Sequence, residues 1–232
     1  MKSFIYILLT SLTFLVVGCQ NESEEIRLIN QAERLFDAYP DSVITTLDSI
    51  PLPEEMSPRL IARWCMLYAR AADKIEDEMP YTNQLEIALK YYQKKKMREE
   101  EAEIGLYLGR SYVEDKEYEK AMRTYSDALK VALAIKDYNR AGYICSYMGD
   151  LYEVDLRYIL AAEKYKESGK YFHLANNTTS YVRAFVNEGR SYMSVDSNYL
   201  ALASLKQAEV IMDSLNVENV KTYVYNGLGN IY

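Results

Sequence analysis

Gly109-Arg110-Ser111-Tyr112, Gly149-Asp150-Leu151-Tyr152, Gly189-Arg190-Ser191-Tyr192 and Gly229-Asn230-Ile231-Tyr232 form one phrase, Gly-x-x-Tyr, recurring every 40 residues. A spacing held across four copies marks a repeated supersecondary unit rather than one globular core. The clearest unit runs from Glu101 to Arg140. Gly105, Leu108, Gly109 and Tyr112 recur at intervals of three and four, which puts them on one helical face. Gly109, lacking a side chain, admits a neighbouring helix at close range. Glu114-Asp115-Lys116 reads as a turn; Tyr118, Ala121, Tyr125 and Ala128 then form the stripe of a second helix, and Lys136-Asp137 closes the unit.

The next unit repeats the plan with Cys145, Met148, Gly149, Tyr152, Tyr158, Ala161, Tyr165 and Ser168, ending near Asn176-Asn177. A third carries Phe185, Gly189, Tyr192, Ala201, Leu205 and Ala208 and ends near Asn216. It departs from the pattern at Glu188, where an apolar residue is expected, and at Asn198, which replaces the turn tyrosine. The fourth offers Tyr225, Leu228, Gly229 and Tyr232 and stops before a second helix. Repeat arrays finish on a polar cap, so the chain is expected to be part of a longer protein or to meet a partner there. Prolines and glycines are few and strand-like alternation is absent. The predicted fold is all-α, a solenoid of antiparallel helix pairs with a 40-residue period. Its predicted packing positions are Gly109, Tyr112, Ala121, Tyr125, Gly149, Tyr152, Ala161, Tyr165, Gly189, Tyr192, Ala201, Gly229 and Tyr232.

Residues 101–232 resemble the tetratricopeptide repeat (TPR), whose signature has Leu-Gly-x-x-Tyr in the first helix and Ala-x-x-x-Phe in the second. The signature's first aromatic is kept only as Phe185 and Tyr225, with Gly105 and Cys145 at the other copies, and the closing proline is missing. A period of 40 instead of about 34 implies lengthened helices, as in bacterial peptide-receptor regulators and motor light chains. Upstream, Ala69, Leu85 and Ala88 fall in phase with Gly109, Tyr125 and Ala128, so residues 26–100 are predicted to hold degenerate hairpins. Glu24–Ala38 reads as a helix, and Asp41 is the expected cap of a short helix, Ser42–Ile50, ending at Pro51. The phrase from Ala32 through Pro40-Asp41-Ser42 to Ile50 resembles the opening of a Bacteroidetes group of lipoprotein TPR proteins. Longer members of that group continue into a transmembrane helix and a segment with a signalling role.

The N-terminus reads as an address. Lys2 precedes an apolar run from Phe4 to Val17, too short for a comfortable bilayer span. The run closes on Leu15-Val16-Val17-Gly18-Cys19, which resembles a bacterial lipobox. That resemblance implies removal of residues 1–18, acylation of Cys19, and an acidic tether over 19–25. Anchoring at the extracytoplasmic side of a bacterial membrane would follow, since several acyl chains hold a protein stably. An uncleaved helical anchor, or secretion with Cys19 free, is the other reading.

The net charge of −7 with no basic block argues against nucleic acid, whose phosphates need clustered cations. Cys65 and Cys145 occupy the same place two periods apart. Helices pack about 10 Å apart, whereas a disulfide needs Cα atoms within about 7 Å, so both are expected to be buried thiols. His173 is the single histidine, which leaves no His cluster for zinc and no second imidazole for acid–base work. No phosphate loop or nucleophile elbow appears. Neither metal, cofactor nor enzymatic activity is expected.

The first helix of each pair should line a concave groove. Arg110, Asp150, Arg190 and Asn230 directly follow the repeat glycines, while Tyr143, Arg183 and Tyr223 share another position, with Tyr147, Asn187 and Asn226 nearby. Arg and Asn can grip a peptide backbone or carboxylate through charge-assisted hydrogen bonds, and the TPR resemblance implies peptide or helix binding there. Each residue also fits an ordinary solvated helix face. The predicted function is a lipid-anchored scaffold holding a protein or peptide, alone or as the sensing part of a signalling protein. A glycan-binding or outer-membrane assembly lipoprotein with TPR-like helices is the alternative. Tyrosine abundance, 23 residues, could suit sugar stacking, but the repeat's packing positions account for at least a third of it.

Overall fold

The structure is a computed structural model and describes residues 24–50 and 55–230. The chain divides into two compact units after Lys95. Among the described residues all regular structure is helical.

In the first unit, residues 24–35 form α1, followed by α2 (Pro40–Asp48), α3 (Pro58–Ile75) and α4 (Thr82–Lys95). Pro40 and Pro58 stand in the first helical turns, where a missing N–H removes no helix bond. The expected capping role of Asp41 is not seen. Tyr39 occupies the N-cap without a side-chain bond, and Asp41 lies in the first turn, where its charge meets the positive helix end. The helix accordingly starts earlier than predicted and ends at Asp48. Helix α3 packs on α2 and α4. Trp64 Nε1 donates to the Leu47 carbonyl at 3.2 Å, and Tyr92 Oη donates to the Ala62 carbonyl at 3.0 Å. Ala69, Leu85 and Ala88 are fully buried, as their phase requires.

The second unit is a run of hairpins: α5 (Arg98–Glu114), α6 (Tyr118–Ala134), α7 (Tyr138–Val154), α8 (Tyr158–Leu174), α9 (Thr178–Met193), α10 (Asn198–Ser214) and α11 (Lys221–Gly229). Each helix packs on the next. Helices α5 to α8 and α10 each have 17 residues, about 25 Å of rise.

The joints between them are alike. Lys116, Lys136, Leu156, Asn176, Asp196 and Asn216 all take left-handed φ, 53° to 61°, at intervals of 20 residues. After each, an N–H reaches back across the helix end, for example Glu117 to the Tyr112 carbonyl at 2.8 Å and Asp137 to Ala132 at 2.9 Å. This reciprocal C-terminal cap satisfies carbonyls that would otherwise lack partners. A non-glycine in this region costs about 1–2 kcal/mol, and the cap bonds offset it. The 40-residue unit is thus two equal halves, a division the sequence pattern did not reveal.

Three repeat glycines sit where a side chain would collide. A Cβ at Gly109 would lie 2.1 Å from the Tyr125 ring, one at Gly149 2.7 Å from Tyr165, and one at Gly189 2.8 Å from Leu205. Gly229 differs from expectation: it is exposed and a Cβ there would meet nothing within 4 Å. Gly227 supplies that contact instead, 2.6 Å from Leu205, because α11 presents this earlier residue to the core of Val182, Val186 and Leu205. Tyr112, Ala121, Tyr125, Ala161, Tyr165 and Ala201 are buried, while Tyr152 and Tyr192 are half-buried. Tyr118 departs from its predicted stripe. It is exposed, being the first residue of α6, where no neighbouring turn covers it. Tyr232 and Cys19 lie outside the described residues.

Candidate functional site

Within the second unit the first helices of successive hairpins, α5, α7, α9 and α11, form one layer. Helix α5 meets α7 and α9 meets α11 directly. Side chains tie α7 to α9: Ser191 Oγ donates to Glu153 Oε1 at 2.6 Å, and Tyr143 Oη lies 3.4 Å from Ser180 Oγ. Arg140 of α7 reaches back to Glu103 of α5 at 3.1 Å and also contacts Asp137. Close approach on one layer bends a stack of hairpins toward it, so the first helices line the inner wall.

The predicted groove residues fall on this layer in three groups. Tyr143, Asn187, Arg190 and Tyr223 join neighbouring repeats: Tyr223 donates to Asn187 Oδ1, Arg190 Nη1 approaches Tyr223 Oη at 3.5 Å, and Asn177 Nδ2 donates to Tyr143 Oη at 3.4 Å. Arg183 and Asn226 are exposed side chains on α9 and α11. Arg110, Tyr147 and Asp150 converge on a cleft of about 240 Å³ between α5, α6 and α7. Val113, Glu114, Tyr125, Leu151 and Val154 complete its lining. Of these eight, Arg110, Tyr147 and Asp150 are groove candidates in the sequence, Tyr125 is a packing position and Glu114 a turn residue.

Tyr125 and Tyr147 stack with centroids 5.9 Å apart and planes 13° from parallel. The Arg110 guanidinium stands 5.6 Å from the Tyr147 centroid, a cation–π distance. Asp150 Oδ1 accepts from Tyr165 Oη at 2.6 Å. As a residue Asp150 is exposed, yet the surfaces around its carboxyl strip water from it and raise its pKa. The Tyr165 bond opposes that shift, Glu153 adds to it, and Arg190 opposes it. Burial likewise raises the Tyr125 and Tyr165 phenols far above their usual range, so both remain protonated donors.

Cys65 and Cys145 are buried free thiols, and burial pushes Cys145 up to about 12 and raises Cys65 as well, so neither is a thiolate at neutral pH. His173 is exposed at the end of α8, 5.0 Å from the Tyr181 ring. Among the described residues no three His, Cys, Asp or Glu side chains group to hold a metal, and no helix is long and apolar enough to cross a membrane.

No family model and no curated protein match the chain. Solved structures do. The apo form of RapI is similar at TM-score 0.69 and 12% identity, covering 87% of this chain and 74% of that one. A signal transduction ATPase from Pyrococcus horikoshii with a tetratricopeptide repeat sensor is similar at 0.59 and 15%, covering 91% and 36%. PlcR of Bacillus thuringiensis, in complex with the peptide PapR7 and DNA, is similar at 0.52 and 15%, covering 88% and 75%. Identities this low establish the fold: the chain is a TPR-like helical solenoid.

Proposed function

We propose that this chain is a non-catalytic scaffold that binds a peptide or protein segment along the inner wall of its helical repeats. The observation that carries the reading is the cleft at Arg110, Tyr147 and Asp150, an aromatic and charged recess on the layer of first helices. Binding of the peptide PapR7 by the similar PlcR supports it as precedent. Cys19, outside the described residues, is the acylated anchor in this proposal, holding the scaffold at the extracytoplasmic face of a bacterial membrane. From there it would serve as an adaptor or as the sensing part of a longer signalling protein.

The test is a pull-down from solubilised envelope with the wild type and with an Arg110→Ala, Arg183→Ala, Arg190→Ala variant, partners being read by mass spectrometry. Loss of specific partners in the variant, with unchanged circular dichroism, is the expected result; identical partner sets would defeat the groove assignment. Cys19→Ser should shift the protein from the membrane to the soluble fraction. Unchanged membrane association of that variant would remove the lipid anchor from the reading.

A further inference from the structure

Forty residues beyond the cleft, the same positions of the repeat are polar. Val113, Leu151 and Val154 become Glu153, Ser191 and Ser194. There the space is crossed by the 2.6 Å Ser191–Glu153 hydrogen bond. The fold therefore does not itself require an open apolar recess; the residues at this one interface maintain it.

Charges at the recess define what can enter. Arg110 stands over Tyr147, on the π surface a ligand cation would seek, so a second cation meets repulsion. Glu114 and Asp150 line the same recess and repel an anion. The walls between them, Val113, Leu151, Val154 and the two tyrosines, favour apolar surface. At the rim, Arg110 is a donor fork and Asp150 an acceptor. Tyr165 donates to Asp150 Oδ1, and a carboxylate has further lone pairs on its second oxygen. One donor and one acceptor flanking an apolar recess are the complement of a backbone C=O and N–H flanking an apolar side chain.

We infer that the cleft between α5, α6 and α7 is a subsite for one bulky, uncharged apolar side chain of an extended peptide. Arg110 donates to that residue's carbonyl and Asp150 accepts from its amide. The assignment rests on the peptide-binding reading above and gives it a chemistry.

The test is an NMR titration of the full chain, methyl-labelled, with N-acetyl-phenylalaninamide, N-acetyl-alaninamide, N-acetyl-lysinamide and the N-acetyl amide of glutamic acid. The phenylalanine probe should shift the methyls of Val113, Leu151 and Val154, and bind at least about tenfold tighter than the alanine probe. Both charged probes should also be weaker. Val154→Trp, placed at a half-exposed position so that the indole fills the recess, should abolish the response without lowering the melting temperature. Arg110→Gln, which keeps the fold's apolar contacts, should weaken the phenylalanine probe if the indole variant proves unstable. Equal binding of the phenylalanine and alanine probes, or preference for either charged probe, would overturn the assignment. If Val154→Trp kept every partner that the triple arginine variant loses, the groove reading would stand and the subsite would fall.

Discussion

Between α5, α6 and α7 the inner wall is open and apolar; between α7, α8 and α9 the corresponding positions are joined by hydrogen bonds. Both interfaces are built on a glycine facing a buried tyrosine, Gly109 on Tyr125 and Gly149 on Tyr165. They diverge one layer out. Tyr125 stacks on Tyr147 beside the cleft, whereas Tyr165 donates to Asp150, and Asn187 stands at the position equivalent to Tyr147. Repeat proteins separate these tasks: positions that stack the hairpins are shared by every unit, and positions facing the inner wall vary freely. A recess present in one repeat and bridged in the next is therefore a property of a few side chains.

The largest test of the comparison is the glycine pair. Gly109→Ala should cost about 2 kcal/mol, overpacking against Tyr125 outweighing the helix propensity gained, and lower Tm by about 4–8 °C. The nearest room for the displaced ring is the cleft, so this variant should also lose the phenylalaninamide response. Gly149→Ala, with its longer 2.7 Å contact, should cost about half as much. Urea unfolding of both variants reads the difference, and a costlier Gly149→Ala would break the comparison.

The third repeat sharpens it through Glu188, which stands where Leu108, Met148 and Leu228 stand in the others. It is buried, and burial raises its pKa, with Lys166 and a bond to Ser204 opposing the shift. The folded carboxyl therefore holds its proton to higher pH than the unfolded one. Folding gains from this group at low pH, and the gain is lost as pH rises from the unfolded carboxylate range through the raised folded value. Glu188→Leu should stabilise by about 1–2 kcal/mol at pH 7 and by less near pH 4. Thermal melts across that window check the slope; a benefit independent of pH would show that packing alone is at work.

The smallest effect separates the two tyrosines. Tyr165→Phe removes the donor to Asp150 and should cost about 1 kcal/mol. Tyr125→Phe, at the open interface, should cost less than about 0.5 kcal/mol. Equal losses in chemical denaturation would mean that the Tyr165–Asp150 bond does not distinguish the interfaces.

The repeat itself was legible because Gly109, Gly149 and Gly189 each answer a steric demand that only glycine meets. Gly229 carries the same letters without the demand, since spacing reports register and not whether a neighbour is present. The 20-residue half-period was hidden because Lys116, Lys136, Leu156 and Asp196 adopt left-handed backbone where a reader looks for glycine. Groove candidates were found by position, but Asn187 and Tyr223 are 36 residues apart and only coordinates show them bonded. Arg110 and Asp150 stand out at one position of the repeat and Tyr147 at another, but that the three line one cleft is seen only in the coordinates. Val113, Leu151 and Val154 carry no polar or charged group that marks them as contact residues, so the apolar lining is not legible in the sequence.

Identical joints carry a further consequence. Lys136 is already left-handed and Asn177 already caps α9 by accepting from the Ser180 N–H, as Asp137 caps α7 by accepting from Arg140. Cutting out 137–176 would bring Lys136 against Asn177 and recreate a junction of the kind already present at both cut points. The array is thus a tape marked in interchangeable cassettes, and its length can be increased or reduced by splicing whole segments without inventing a new bend.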